Sequence, residues 1–255
     1  MNFFKYQGTG NDFVFIDNRD NAFPQNDKNL IARFCDRRFG IGADGVVLIQ
    51  KHDTCDFEMI YFNPDSSQSF CGNASRCAVH FASHLGIIRN EGCFQAIDGT
   101  HQAFIKDGLV HVKMSEVNTV DRINHHFFIN TGSPHLVYFV NNLDDVDVYM
   151  EGRLIRYNDV YRKTGVNVNF VQLMPDNHIY VRTYERGVEN ETLSCGTGVT
   201  ASALAASFKN HQSPVKVKTR GGNLQVAFRK RSDGHFDDIY LVGPAVQVFS
   251  GQIEV

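Results

Sequence analysis

Residues 71–85 read CGNASRCAVHFASHL, and residues 195–208 read CGTGVTASALAASF. Each stretch opens on a Cys-Gly step and continues with helical spacing and small residues on one side, which predicts helices over Asn73–Leu85 and Thr197–Phe208. The start of a helix presents unpaired backbone N–H groups and a partial positive charge. A thiolate placed there is stabilised, so the cysteine titrates below its usual value of about 8.5. The glycine that follows lets a ligand approach the backbone closely, and the same N–H groups bind carboxylates. One such step offers a reactive sulfur beside a carboxylate cradle, and this chain has two.

Working outward, the two steps belong to an internal repeat. Thr9-Gly10-Asn11-Asp12-Phe13 aligns with Thr131-Gly132-Ser133-Pro134-His135, and Phe39–Asp44 with Thr164–Asn169. Met59–Asn63 aligns with Val181–Glu185, and Cys71-Gly72-Asn73 with Cys195-Gly196-Thr197. The offsets fall at about 122 to 125 positions and keep one order through all four segments. Duplication without a shared site is the alternative, but the matched segments are polar and Gly-rich, whereas a repeat of cores would match in apolar pattern.

The remaining pattern is mostly short strands punctuated by Gly, Asn and Asp: Phe13–Asp17, Val46–Gln50, Phe57–Phe62, Leu109–Met114, His135–Val140, Ile179–Tyr184 and Ile239–Val242. A third helix is expected over Lys28–Arg38, with a charged end and Gly40 beyond it. The expected fold is α+β, two lobes of one topology, each wrapping strands around a helix that begins just after a cysteine. The N-terminal lobe takes residues 1–115 plus 243–255 and carries Cys71; the C-terminal lobe takes 116–242 and carries Cys195. The last segment, 243–255, reads as a strand hairpin that returns to the first lobe.

Composition narrows the function classes. A formal net charge of -3 argues against a nucleic-acid partner. No run of about 18 apolar residues and no secretory leader are found, so no membrane contact and a cytoplasmic location are expected. Thiols stay reduced there, so six cysteines are read as thiols. No Cys-x2-Cys pair is present, which leaves no expected metal site, and His125-His126 reads as a surface loop pair. Cys35, Cys55, Cys77 and Cys93 are read as small buried hydrophobes. Gly40-Ile41-Gly42-Ala43-Asp44-Gly45 matches a dinucleotide fingerprint literally, but it follows a helix and opens a strand, the reverse of what that motif requires. No lysine motif for pyridoxal phosphate is evident, so no cofactor is expected.

Two duplicated thiols suit amino-acid racemisation. The Cα–H is a very weak acid, and inversion needs a proton delivered to the opposite face. One thiolate can remove the proton while a second group, a thiol, supplies one. Carboxylate bound at helix N-termini would stabilise the carbanion-like transition state. A Cys71–Cys195 disulfide is the competing reading of the pair.

Four motifs, Thr9-Gly-Asn-Asp-Phe13, Cys71-Gly-Asn73 with Arg76-Cys77, Glu185-Arg-Gly187 and Glu191-Thr-Leu-Ser-Cys-Gly-Thr-Gly198, resemble those of the diaminopimelate epimerases. The resemblance runs from Phe4 to Gly243-Pro244. It implies two pseudo-symmetric lobes, each a β-barrel-like sheet around a central helix, and cofactor-independent interconversion of LL- and meso-diaminopimelate in the lysine and peptidoglycan pathway. It also implies that Cys71 and Cys195 are the two bases. Asn11, Asn63, Gly72, Asn73, Asn167, Glu185, Arg186, Gly196 and Thr197 would line the small amino-acid substrate. That substrate is a double zwitterion: Arg186 suits a carboxylate, Glu185 an ammonium, and asparagine either. Without the resemblance, a solvated turn is the lesser alternative for Glu185-Arg186. Ser133, where the family usually has asparagine, and His135 are candidates for a supporting role, with a purely structural histidine as the alternative. A homodimer is expected on the resemblance alone.

The sequence departs from the family at Asn63-Pro64-Asp65-Ser66, which stands for Asn-Ala-Asp-Gly, at Ala74 for glycine, and at Gly45 where many members carry a substrate-contacting glutamine. A β-carbon at Ala74 is expected to crowd the helix start. Two further functions therefore stand beside the first: a related racemase or isomerase of another amino acid, and a non-catalytic amino-acid-binding protein.

Overall fold

Two helices that begin directly after Cys71 and Cys195 are the centres on which strands pack in this computed structural model, which describes residues 1–254. Val255, the last residue assigned to the N-terminal lobe, lies outside the described residues. The chain divides into two compact units, Met1–Val112 together with the segment from Gly243 on, and Lys113–Val242.

In the first unit, β1 (Asn2–Gly8) and β2 (Asn11–Asp17) form an antiparallel hairpin. Its two-residue turn, Thr9-Gly10, has φ of 53° and 85°, the paired positive values of a type I′ turn. The helix α1 (Lys28–Cys35) leads to β3 (Gly45–Gln50), which lies parallel to β2 with Phe13 opposite Gly45. Antiparallel β4 (Phe57–Phe62) follows, then α2 (Gly72–His84). Next come β5 (Glu91–Ala96), parallel to β4, and the meander β6 (Gly99–Lys106) and β7 (Leu109–Lys113). The final strand, Val246–Gln252, pairs antiparallel with β1.

The second unit repeats this order. Antiparallel β8 (Val120–Ile123) and β9 (His126–Asn130) precede β10 (Pro134–Val140). After α3 (Val148–Arg156), β11 (Asn167–Met174) lies parallel to β10 with His135 opposite Asn167. Antiparallel β12 (His178–Glu185) carries the short β13 (Asn190–Thr192), and α4 (Gly196–Ala206) follows. Then come β14 (Val215–Thr219), parallel to β12, and antiparallel β15 (Gly222–Lys230) and β16 (Phe236–Gly243). The fold is thus α+β, two lobes of one topology, each a mixed sheet around a central helix. Among the described residues no helix is long and apolar enough to cross a membrane.

Strand registers refine the repeat. The pairs Phe13–Gly45 and His135–Asn167 are equivalent, so Gly45 matches Asn167 and the segment 39–44 is displaced by three residues from its sequence alignment. The segment between the antiparallel strand and the cysteine is longer in the second unit, where β13 pairs with β12; in the first unit a single Phe62–Gln68 bridge takes that place.

The central helices differ in how they are buried. α2 buries Ala74, Cys77, Ala78, Phe81 and Ala82 among Phe13, Phe15, Val47 and Phe57 of its own lobe. α4 is apolar on all sides and nearly wholly buried from Val199 to Ala206, as expected of a helix enclosed by its sheet. A second cluster, with Ile31 and Phe34, packs under α1, and another, with Val148, Phe170 and Tyr184, under α3.

Several expectations need correction. α1 ends at Cys35, three residues early, because Asp36 adopts extended backbone and turns its carboxylate onto the N–H groups of Arg38 and Phe39 at 2.7 Å each. Residues 243–254 hold one strand, with β1 as its partner, in place of a hairpin. Cys55 and Cys93 are half-exposed neighbours, and the Cys55 thiol is raised by burial and by Cys93; Cys35 and Cys77 are buried as expected. His126 begins β9 and stacks on Tyr138 at 4.5 Å, so it belongs to the sheet. Ala74 is fully buried in the core around α2.

Candidate active site

In each lobe a cysteine with extended backbone is the N-cap of the central helix, and neither side chain caps its own helix. The first-turn N–H groups after Cys71 and Cys195 therefore have no bond from their cap residue and suit an anion.

Around Cys71 the polar side chains are held by ion pairs. Asn11 Oδ1 accepts from Cys71 Sγ at 3.6 Å and from Asn73 Nδ2 at 3.3 Å. Asn11 Nδ2 donates to Asp44 Oδ2 at 2.5 Å, which fixes the orientation of the amide. Asp44 is held by Arg37 at 2.9 Å, and Arg37 grips Asp12 at 2.6 Å. Lys5 reaches Asp12 at 2.7 Å. Burial pushes the Asp12 carboxyl up, but hydrogen bonds from Arg37 and Lys5 outweigh it and hold the group at about 2. Gly72 and Asn73 are buried in the first turn of α2. Asn63, by contrast, is used within its own turn: its Nδ2 donates to Ser67 O and Oγ and to Ser69 Oγ at 3.0–3.2 Å.

Around Cys195 the network is neutral. Thr197 Oγ1 lies 3.5 Å from Cys195 Sγ and 2.9 Å from His135 Nε2. Asn169 Nδ2 donates to the Leu136 carbonyl at 2.9 Å and to His135 Nδ1 at 3.1 Å, so the remaining ring proton sits on Nε2 and points at Thr197. Thr183 Oγ1 donates to Asn169 Oδ1 at 2.9 Å. His135 is fully buried, and burial pushes it down to about 3, so the ring stays neutral. Gly196 is buried in the first turn of α4.

A third set lies in the same lobe. Asn167 accepts from the Arg186 backbone N–H at 2.8 Å and donates to Ser133 Oγ at 2.8 Å. The Arg186 side chain is exposed and folds over Gly165, donating to Thr164 O at 3.1 Å. Glu185 is half-buried and accepts from Thr192 Oγ1 at 3.0 Å. Ser133 and His135 therefore both contact candidate residues, through Asn167 and Thr197 respectively.

Asp44, Asn169 and Thr183 were not singled out by the sequence. For Asn169 a signal existed. Val166-Asn167-Val168-Asn169-Phe170 puts two asparagines on one face of a strand, and both are buried, at 3% and 0% exposure. Two buried amides at a spacing of two mark a polar face where a core face is expected.

The family model described as diaminopimelate epimerase matches residues 3–120 and 127–248. The chain is 48% identical to the diaminopimelate epimerase of Flavobacterium psychrophilum, over 99% of this chain and all of the relative. It is 38% identical to that of Aquifex aeolicus, over 99% and 98% of the two chains. A phenazine biosynthesis protein of the PhzF family from Bacillus anthracis superposes with a TM-score of 0.78 over 100% of this chain and 99% of its own; at 12% identity it shows the fold alone. With nearly its whole length matched by the family model, this chain belongs to the diaminopimelate epimerase family.

Proposed function

We propose that this protein interconverts LL- and meso-diaminopimelate without a cofactor, with Cys71 and Cys195 as the two bases. One thiolate removes the Cα proton while the other thiol supplies a proton from the opposite face. The observation that carries the reading is the duplicated helix start, where each cysteine sulfur touches a polar side chain anchored by its own lobe: Asn11 for Cys71 and Thr197 for Cys195. First-turn N–H groups would receive the reacting carboxylate and stabilise the charge that develops beside it. Asn11, Asn73, Asn167, Glu185, Arg186 and Thr197, with the backbone of Gly72 and Gly196, supply the remaining contacts to a double zwitterion, and Asn63 joins them only by giving up the bonds of its Nδ2 to Ser67 and Ser69.

One observation favours a second reading, a racemase of another amino acid. A Cβ at Gly45 would lie 2.3 Å from the Tyr61 ring and 2.6 Å from the Phe62 carbonyl, so the glutamine of many relatives has no room here. A non-catalytic binder has no use for two such cysteines. Incubation in deuterium oxide separates the readings: we expect LL-diaminopimelate to epimerise with solvent deuterium taken up at the inverted Cα of the product. Exchange confined to another amino acid would establish the second reading, and exchange into none the third.

The six free thiols and the lack of a spanning helix among the described residues support a cytoplasmic enzyme. We expect a homodimer on the family resemblance, which a single-chain mass in sedimentation would refute.

A further inference from the structure

Arg76 is fully buried one helical turn beyond Cys71, and among the described residues no carboxylate pairs with it. Its guanidinium is met by neutral groups: Thr9 Oγ1 at 3.0 Å, the Pro244 carbonyl at 3.3 Å and the Gly72 carbonyl at 3.4 Å. An unpaired buried charge is costly, so such a cation is expected to have an anion close by. The ionisable groups that act on Arg76 are Cys77 and Cys71. Burial pushes Cys77 up to about 12, so it is a neutral thiol near pH 7. Cys71 remains, half-buried at the helix N-terminus where a thiolate is already favoured.

The surroundings are built around this cation. Thr9, which accepts from Arg76, is a β-branched residue at φ 53°, a conformation such residues rarely adopt. Gly8 lies so close that a Cβ there would sit 3.0 Å from Asn73 O, 3.2 Å from Cys77 Sγ and 3.3 Å from Arg76 Nη2. The duplicated lobe has no counterpart. At the matched position, five residues after Cys195, stands Thr200, whose hydroxyl donates to the Gly196 carbonyl at 2.9 Å. Both residues bond the first-turn carbonyl four positions back, but only the N-terminal lobe places a charge there.

We propose that Arg76 is a positioning residue that serves as counter-cation to the Cys71 thiolate, so that the two thiols of a duplicated site are electrostatically unequal. The proposal rests on the reading of Cys71 as a base. Other titratable groups near this helix turn are accounted for. Asn11 Oδ1, oriented by Asp44, faces Cys71 Sγ at 3.6 Å and opposes its ionisation, an effect that Arg76 and the helix start must together outweigh; Asp12 and Lys5 pair with each other; Tyr6 on β1 and His80 on α2 bond one another at 3.3 Å; and His101 on β6 is held by Asp98 at 2.9 Å.

The test is the pH dependence of iodoacetamide alkylation at each cysteine, read by peptide mass spectrometry on ligand-free protein. In the unmodified protein, Cys71 should reach half its limiting rate below the free-thiol value of about 8.5. In Arg76→Gln that midpoint should rise by at least one unit, about a tenfold loss of thiolate at fixed pH, while Cys195 is unmoved. Arg76→Lys should keep most of the low midpoint. A Cys71 midpoint at or above 8.5 in the unmodified protein overturns the proposal, as does an unshifted midpoint in folded Arg76→Gln. If the Gln variant does not fold, a free-thiol midpoint in folded Arg76→Lys overturns it. Because no substrate is present, the result is independent of the deuterium exchange assay: failed exchange with these shifts intact removes the assigned reaction and leaves the charge pairing standing.

Discussion

Cys71→Ala and Cys195→Ala should each lower kcat for epimerisation by at least about 10³-fold, within the range expected when a positioned acid or base is lost. Both proteins should remain folded. Neither cysteine side chain caps its helix, so truncation removes no capping bond. The two losses are alike in size because inversion needs removal on one face and delivery on the other in the same turnover. A change in either group stops the reaction in both directions, as the shared transition state requires. Steady-state kinetics from both isomers, with circular dichroism as the control for folding, checks this. Full activity in either variant would defeat the two-base reading.

Gly198→Ala should be nearly as damaging, although it touches neither sulfur. A Cβ at Gly198 would lie 2.3 Å from Asn169 Oδ1 and 3.3 Å from His135 Cε1. Asn169 cannot yield freely, because its amide bonds the Leu136 carbonyl, the His135 ring and the Thr183 hydroxyl. Overpacking at such a site costs about 1–3 kcal/mol. Displacement of Asn169 also releases the His135 ring that fixes Thr197 beside Cys195. We expect a fall in Tm of several degrees and a loss in kcat on the order of 10²-fold, typical of small misplacements near reacting groups. The matched residue of the other lobe is Ala74, whose methyl is accommodated in the core. Ala74→Gly should therefore cost about 1 kcal/mol of helix stability and little activity. An active, unshifted Gly198→Ala protein would show that the His135 chain is dispensable.

The lobes and their central helices were legible because both signals are local. A Cys-Gly step before a run of small residues declares a helix start, and the repeat declares the second copy. The cysteines follow on that basis, while Asn11, Asn73 and Thr197 come from the family resemblance; the structure brings Asn11 to Cys71, Asn73 to Asn11 and Thr197 to Cys195. Residues that act through others were less visible. Asp44 orients Asn11 from 33 positions away, and Asn169 orients His135 from 34. Such pairings follow from strand register, as in Phe13–Gly45 and His135–Asn167, which motif spacing does not encode. Whether a β-carbon fits at Gly198 likewise depends on the strand opposite, where Asn169 Oδ1 would stand 2.3 Å from it.

The most direct test of the thiol pair follows the isotope at Cα during the first turnovers of LL-diaminopimelate in deuterium oxide. If separate groups remove and deliver the proton, newly formed meso product carries solvent deuterium at the inverted carbon while unconverted LL isomer still carries protium. Early meso product that retains the substrate's own hydrogen would mean that a single group carries it from one face to the other, and the assignment of Cys71 and Cys195 as partners would be wrong.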